Sequence, residues 1–186
     1  MVNRLTRITT RTGDDGNTGL ATGARLPKDS ARIEVMGDVD ELNSVLGMLL
    51  ANALPAPQTK WLLEIQHDLF DLGGELALPG ESLLPAERVA WLEERLEEMN
   101  AGLPPLKEFI LPGGGQAATV CHLARAVTRR AERHLVHLAR EEEVTAAARQ
   151  YLNRLSDLLF VMARVLAREA GDGELFWRSR RVRESG

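Results

Sequence analysis

The chain has 186 residues and one cysteine, Cys121, which excludes an internal disulfide and any cysteine-based metal cluster. Aromatic residues make up only 4% of it, while leucine and alanine abound. That balance favours helices packed on helices over a sheet sandwich. No apolar run reaches the length of a membrane span, and the opening M-V-N-R-L-T-R has no signal-peptide core. There is no basic surplus either. The formal net charge is -4 and the pI about 5.6, so a global nucleic-acid footprint is absent. The expectation is a cytoplasmic protein with neither a membrane nor a nucleic-acid partner. At this length about 70% of the unfolded surface can be buried, enough for one domain over 1–186.

What is present begins with glycine. Residues 1–36 read as a region with little helix. Gly13, Gly16, Gly19 and Gly23 stand there among Thr, Asp and Asn, residues that favour turns and positive backbone dihedrals. The loop could wrap phosphates with backbone N–H groups and hydroxyls, although it lacks the Walker spacing. Lys28 follows and could add a point charge. A disordered tail is the other reading.

Apolar periodicity then predicts a helical bundle over 37–170. Helix one is expected from about Asp38 to Leu54, with Val39, Leu42, Val45, Leu46, Leu49 and Leu50 inward. Helix two is expected from about Gln58 to Leu78, with Glu64, Asp68, Asp71 and Glu75 on its polar side. Helix three follows Pro85, and its Glu93, Glu94, Glu97 and Glu98 read as solvated. Helix five, from about Thr145 to Ala170, is apolar nearly all round and belongs in the middle of a bundle or against another subunit. The tail over 171–186, with Trp177 and four arginines from Arg178 to Arg183, has no pattern that can be read alone.

The stretch from Phe109 to His137 is the organising one. It runs from F-I-L-P-G-G-G into a helix whose Val120, Ala124, Val127, Ala131, Leu135 and Leu138 form one apolar stripe. Arg125, Arg129 and Glu132 lie on a second stripe, flanked by Arg130 and Arg133. Guanidinium groups make planar, bidentate contacts to phosphate. The ladder is therefore either a seat for a polyphosphate or a solvated face, and the pattern leaves both open. On helix five, Asn153, Asp157 and Arg164 share a stripe that could face the ladder. A shared ligand and a register-fixing ion network explain that stripe equally well.

Other chemistries find little support. Glu64-Ile-Gln-His67 has a di-iron ligand spacing but no second copy, so no metal site is assigned. Cys121 and His122 are adjacent on a helix and point about 100° apart, so they form no dyad. Cys121 reads as a buried, inert thiol.

Seven segments, taken together and in order, resemble the PduO-type ATP:cob(I)alamin adenosyltransferases. They are T-R-T-G-D-D-G-N-T-G-L (Thr10–Leu20), R-L-P-K-D (Arg25–Asp29), G-D-V-D-E-L-N-S (Gly37–Ser44) and I-Q-H-D-L-F-D-L-G-G-E-L-A (Ile65–Ala77). F-I-L-P-G-G (Phe109–Gly114), R-A-V-T-R-R-A-E-R (Arg125–Arg133) and Y-L-N-R-L-S-D (Tyr151–Asp157) complete the set. The resemblance covers about Thr9 to Trp177.

It implies an all-α fold, a five-helix, four-helix-bundle-like domain with a Gly-rich N-terminal loop, assembled as a homotrimer. ATP would sit between subunits on Thr10, Arg11, Thr12, Gly13, Thr18, Gly19, Lys28, Arg129, Arg130, Glu132, Arg133 and Asn153. Asp40 would meet Arg125 across the interface, and with Arg129 these form the catalytic set. Phe109 would stand under the corrin ring. The implied reaction moves the 5′-deoxyadenosyl group of ATP to the cobalt of reduced cobalamin and releases triphosphate, with Mg²⁺ accompanying ATP. A reductase would supply the reduced cobalt. Asp15 departs from the family, which commonly has lysine there; it should point to solvent or to Lys28. The competing readings are a non-catalytic ATP-binding regulatory helical oligomer and a purely structural one.

Overall fold

A computed structural model describes residues 9–180. Five helices carry the chain: α1 (Ala31–Leu50), α2 (Ala56–Ala77), α3 (Glu87–Asn100), α4 (Gln116–Leu138) and α5 (Ala146–Glu169). Before them stand two short strands, β1 (Asn17–Gly19) and β2 (Arg25–Pro27), paired antiparallel with Asn17 opposite Pro27 and Gly19 opposite Arg25. The helical reading did not foresee this sheet. Three-residue strands are too short to leave an alternating pattern.

Helix α4 packs between α1 and α5, α2 lies against α1, and α3 covers α5. A single apolar core draws on all five helices, from Val35 and Leu46 through Leu69 and Leu92 to Leu135 and Leu159. The bundle closes where Tyr151 of α5 donates to the Asp68 carboxylate of α2 at 2.7 Å. Arg88 of α3 donates to the same carboxylate at 2.8 Å. Burial, and then the Asp68 charge, push the Tyr151 hydroxyl well above its usual range.

The polar side expected of α2 is thus partly interior. Asp68 and Glu75 are both buried. Glu75 accepts from the backbone N–H groups of Leu83 and Leu84 and, at 2.6 Å, from the Thr145 hydroxyl. A carboxylate inside a protein needs such partners, and helical periodicity alone cannot reveal them. Glu93 is likewise not free, since Arg154 donates to it at 2.6 Å.

Helix α1 starts at Ala31, seven residues before the expected Asp38. The apolar stripe runs back through Val39 to Val35, which is fully buried. Gly37-Asp38 reads as a turn in isolation, but a Cβ at Gly37 would meet nothing within 4 Å, and the helix passes through it.

The Gly-Gly-Gly turn before α4 serves the fold. Gly114 has φ 90°, and a Cβ there would fall 2.5 Å from the Ala167 Cβ and 2.9 Å from the Gly173 carbonyl oxygen. We expect Gly114→Ala to cost about 2–4 kcal/mol in urea unfolding, because it adds strain at positive φ to overlap in a tight contact. Gly37→Ala, in open space on a helix, should instead be neutral or stabilising by about 0.5–1 kcal/mol.

Candidate functional site

The Gly-rich loop is built as a turn leading into β1. The Gly16 N–H donates to the Gly13 carbonyl at 3.3 Å, and the Lys28 N–H to the Gly16 carbonyl at 2.9 Å. A Cβ on Gly13 would lie 3.2 Å from the Lys28 amine and 3.1 Å from the Asn17 carbonyl oxygen, so a side chain there would crowd both. Thr10 and Thr12 share a hydroxyl hydrogen bond of 2.9 Å, and Arg11 beside them adopts φ 59°. Thr18 and Gly19 lie on β1. Hydroxyls, a close backbone and one ammonium group therefore gather at a single exposed turn, a composition suited to phosphate oxygens.

Arg25, which carried no assigned role, braces this turn. Its guanidinium donates to the Thr12 carbonyl at 2.6 Å and to Asp15 at 3.2 Å. Asp15 therefore faces Arg25 rather than Lys28. The Asn17 backbone N–H, then its side chain, then Arg25 hold the Asp15 carboxyl below its ordinary range. The loop meets the bundle through buried Leu20 and the Ala21 N–H, which donates to Ala77 at the end of α2.

The arginine helix divides its cations. Arg129 and Arg133 are exposed, and the Arg133 guanidinium donates to the Arg129 carbonyl at 3.1 Å. Arg130 is committed within the chain. It donates to Asp38 at 2.8 Å and pairs with Glu41, and these acids raise its pKa above the ordinary arginine value. His134 meets the other Asp38 oxygen at 2.5 Å. Arg130 thus fastens α4 to α1 rather than facing the ladder's open side.

Glu132 accepts from the Asn153 side-chain amide at 2.8 Å, so α4 and α5 do face each other there. Asp157 is exposed, however, and Arg164 turns away to the buried Glu174, at 2.5 Å, and the Pro104 carbonyl, at 2.7 Å. The stripe expected on α5 is therefore split between two tasks.

Arg125 sits half-buried one turn before Arg129, and its Nε is buried with no partner. It opens onto a cleft of about 500 Å³ that it shares with Leu106, Phe109, Ile110 and Phe160. Behind the cleft, His122 is buried edge-on to Phe160. Burial, and then the Arg125 charge, lower its pKa and keep it neutral. Cys121 is fully buried, donates to the Leu159 carbonyl and is pushed up by burial, so it is an inert thiol.

Phe109 is 79% exposed, the most exposed large hydrophobic side chain among the described residues. The tail, unreadable in sequence, holds it in place. The Trp177 N–H donates to the Phe109 carbonyl and the Leu111 N–H to the Leu175 carbonyl, each at 2.7 Å. The Trp177 ring stands edge-on to Phe109, with centroids 6.4 Å apart. Arg181 and Arg183 lie outside the described residues.

One chain therefore brings Arg125 to Phe109 and Glu132 to Asn153. Among the described residues no hydrogen bond or ion pair joins the loop from Thr10 to Lys28 to α4. Asp40 is exposed on α1, and among the described residues its carboxylate has no partner.

A family model described as cobalamin adenosyltransferase matches residues 8–166. A cobalamin adenosyltransferase of Cupriavidus metallidurans is 57% identical over 186 residues, the whole of both chains. A corrinoid adenosyltransferase of Bacillus subtilis is 47% identical over 91% of each chain. Among solved structures, a Phe-to-Ala variant of a PduO-type ATP:corrinoid adenosyltransferase from Lactobacillus reuteri, complexed with cobalamin and ATP, superposes with a TM-score of 0.89. It is 36% identical and covers 93% of this chain and 100% of that one. An Arg-to-Lys variant of that protein, complexed with ATP, has a TM-score of 0.86 at 39% identity, covering 92% of this chain and 100% of that one.

Proposed function

The chain belongs to the cobalamin adenosyltransferase family, and on that footing we propose how its residues divide the work. Its reaction is ATP:corrinoid adenosyl transfer. Reduced cobalt attacks the 5′ carbon of ATP, a cobalt–carbon bond forms, the carbon–oxygen bond breaks, and triphosphate leaves with the bonding pair. The nucleophile is the metal of the substrate, so the protein needs no acid or base. Its tasks are to align carbon with cobalt and to stabilise charge growing on the leaving group.

The protein acts as a homotrimer with ATP in clefts between subunits. Thr10, Arg11, Thr12, Gly13, Thr18, Gly19 and Lys28 of one subunit enclose the phosphates. Arg129 and Arg133 of the next grip them, and Glu132 with Asn153 orients that wall. Arg130 contributes by holding α4 to α1. Phe109 stands under the corrin ring, where an apolar side chain keeps water and the lower ligand off cobalt. One observation carries this reading. Among the described residues, Arg125 has a buried N–H without a partner, at the mouth of the Phe109 cleft, while Asp40 is an exposed carboxylate with no partner of its own. A buried unsatisfied donor costs roughly 1–3 kcal/mol, and a neighbouring subunit's Asp40 would satisfy it.

Mg²⁺ would enter as part of ATP. Among the described residues no group of three acidic, His or Cys side chains could cage a metal, and Mg²⁺ binds readily through phosphate oxygens and water. Reduced cobalt requires a reducing compartment and a donor, which supports cytoplasmic action beside a reductase. Among the described residues no helix is long and apolar enough to cross a membrane.

Anaerobic mixing with ATP and chemically reduced cobalamin should change the absorbance to that of adenosylcobalamin. A spectrum that stays unchanged overturns the reading. Arg125→Ala should shift sedimentation from trimer towards smaller species or lower turnover at least about tenfold, the scale of one lost charged hydrogen bond. A fully active trimer would refute the Asp40 pairing.

A further inference from the structure

A second groove lies on the far side of the Phe109 loop. It encloses about 560 Å³ and shares Lys107 and Glu108 with the Arg125 cleft as a common wall. Pro104, Phe176 and Trp177 give it apolar surface, and Arg178 stands at its edge. Phe176 and Trp177 remain 47% and 44% exposed, although both belong to the tail segment paired with the loop. The Trp177 ring that borders this groove is also the one that meets Phe109 edge-on. The two spaces are therefore one aromatic ring apart.

The charges are uneven. Glu174 has both oxygens occupied, one by Arg164 and one by Arg168. Among the described residues, Lys107 and Arg178 make no ion pair, and Glu108 is the only uncommitted acid on the lining. The free balance is two cations against one anion, beside two exposed aromatic rings. Such a surface suits a monoanion that carries a flat ring.

Cobalamin has such a part. Its lower base is a benzimidazole on a ribose, joined to the corrin edge through a phosphodiester of one negative charge. Phe109 beneath the corrin would force that base off cobalt, and the detached nucleotide must then lie somewhere within reach of the loop. We propose that this groove receives it, with the base against Trp177 and Phe176 and the phosphodiester at Arg178 and Lys107. The inference rests on the corrin assignment of Phe109. It adds to that assignment a site that distinguishes complete corrinoids from those lacking the lower nucleotide.

Cobalamin and cobinamide, which has no lower nucleotide, separate the two ideas. KM for each is measured in the anaerobic assay with wild type, Arg178→Ala and Trp177→Ala. Wild type should favour cobalamin by about tenfold, a typical return for one stacked base or one charged contact. Each variant should raise KM for cobalamin by about that factor, and Arg178→Ala should change KM for cobinamide less than twofold. Equal KM values for both corrinoids in wild type overturn the groove while leaving adenosyl transfer intact. An equal rise for both corrinoids in Arg178→Ala also overturns it, since the residue would then only support the loop or a subunit contact. If neither corrinoid is adenosylated, the function itself falls, and the groove with it.

Discussion

Arg129→Ala should lower adenosyl transfer by about 100- to 1000-fold, the usual loss when one donor to a developing anion is removed. The fold should survive, because Arg129 is exposed and its side chain makes no hydrogen bond or ion pair within the described residues. Its backbone carbonyl, which receives Arg133, is kept by alanine. Arg129→Lys should recover part of the rate, since it restores charge without the planar fork. A melt with and without ATP separates binding from collapse. Wild type at about a hundred times its Kd for ATP gains about 2.7 kcal/mol, and the alanine variant should lose most of that gain while its ligand-free melt stays put. Unchanged turnover would remove Arg129 from the phosphate site.

Phe109→Ala should have the next largest effect, and a different signature. ATP should still stabilise the protein, because Phe109 lies on the cleft with Arg125 and not on the Gly-rich turn. Adenosylation of cob(II)alamin supplied with a reductant should slow by about tenfold or more, equivalent to at least 1.4 kcal/mol in the barrier. The cause is access: without the ring, water or the lower base returns to cobalt and makes it harder to reduce. The change costs little stability, since the ring is 79% exposed. Equal rates for the two proteins would cancel the corrin assignment.

Much of this molecule could be read before its structure was known, and the parts that could not share a physical cause. The stripe of α5 announced that helix to within a residue at each end, and the stripe of α4 marked its inward face, because burial on one face leaves a period of 3.6. Thr145 even caps α5 as a threonine should, accepting from the Ala148 N–H at 3.1 Å. Period says nothing about which polar residues are interior. Asp68, Glu75 and Arg164 lie on stripes that look solvated or ambiguous, and their partners Tyr151, Thr145 and Pro104 on distant segments explain them. The role of Trp177 was hidden for the same reason. It depends on a contact with Phe109 some seventy residues away, which no local pattern encodes. The resemblance supplied candidate site residues, but it did not disclose that Arg130 is held by Asp38 and Glu41.

The short ribbon between the loop and the tail also offers a clock. The Trp177 and Leu111 amides are bonded across it, at 2.7 Å each, and neither belongs to a helix. Their protons can swap with deuterated solvent only when the ribbon parts, so the swap rate times the opening of the floor we propose beneath the corrin. A slower swap after cobalamin is added would mark the moment that floor locks, without any substitution in the site.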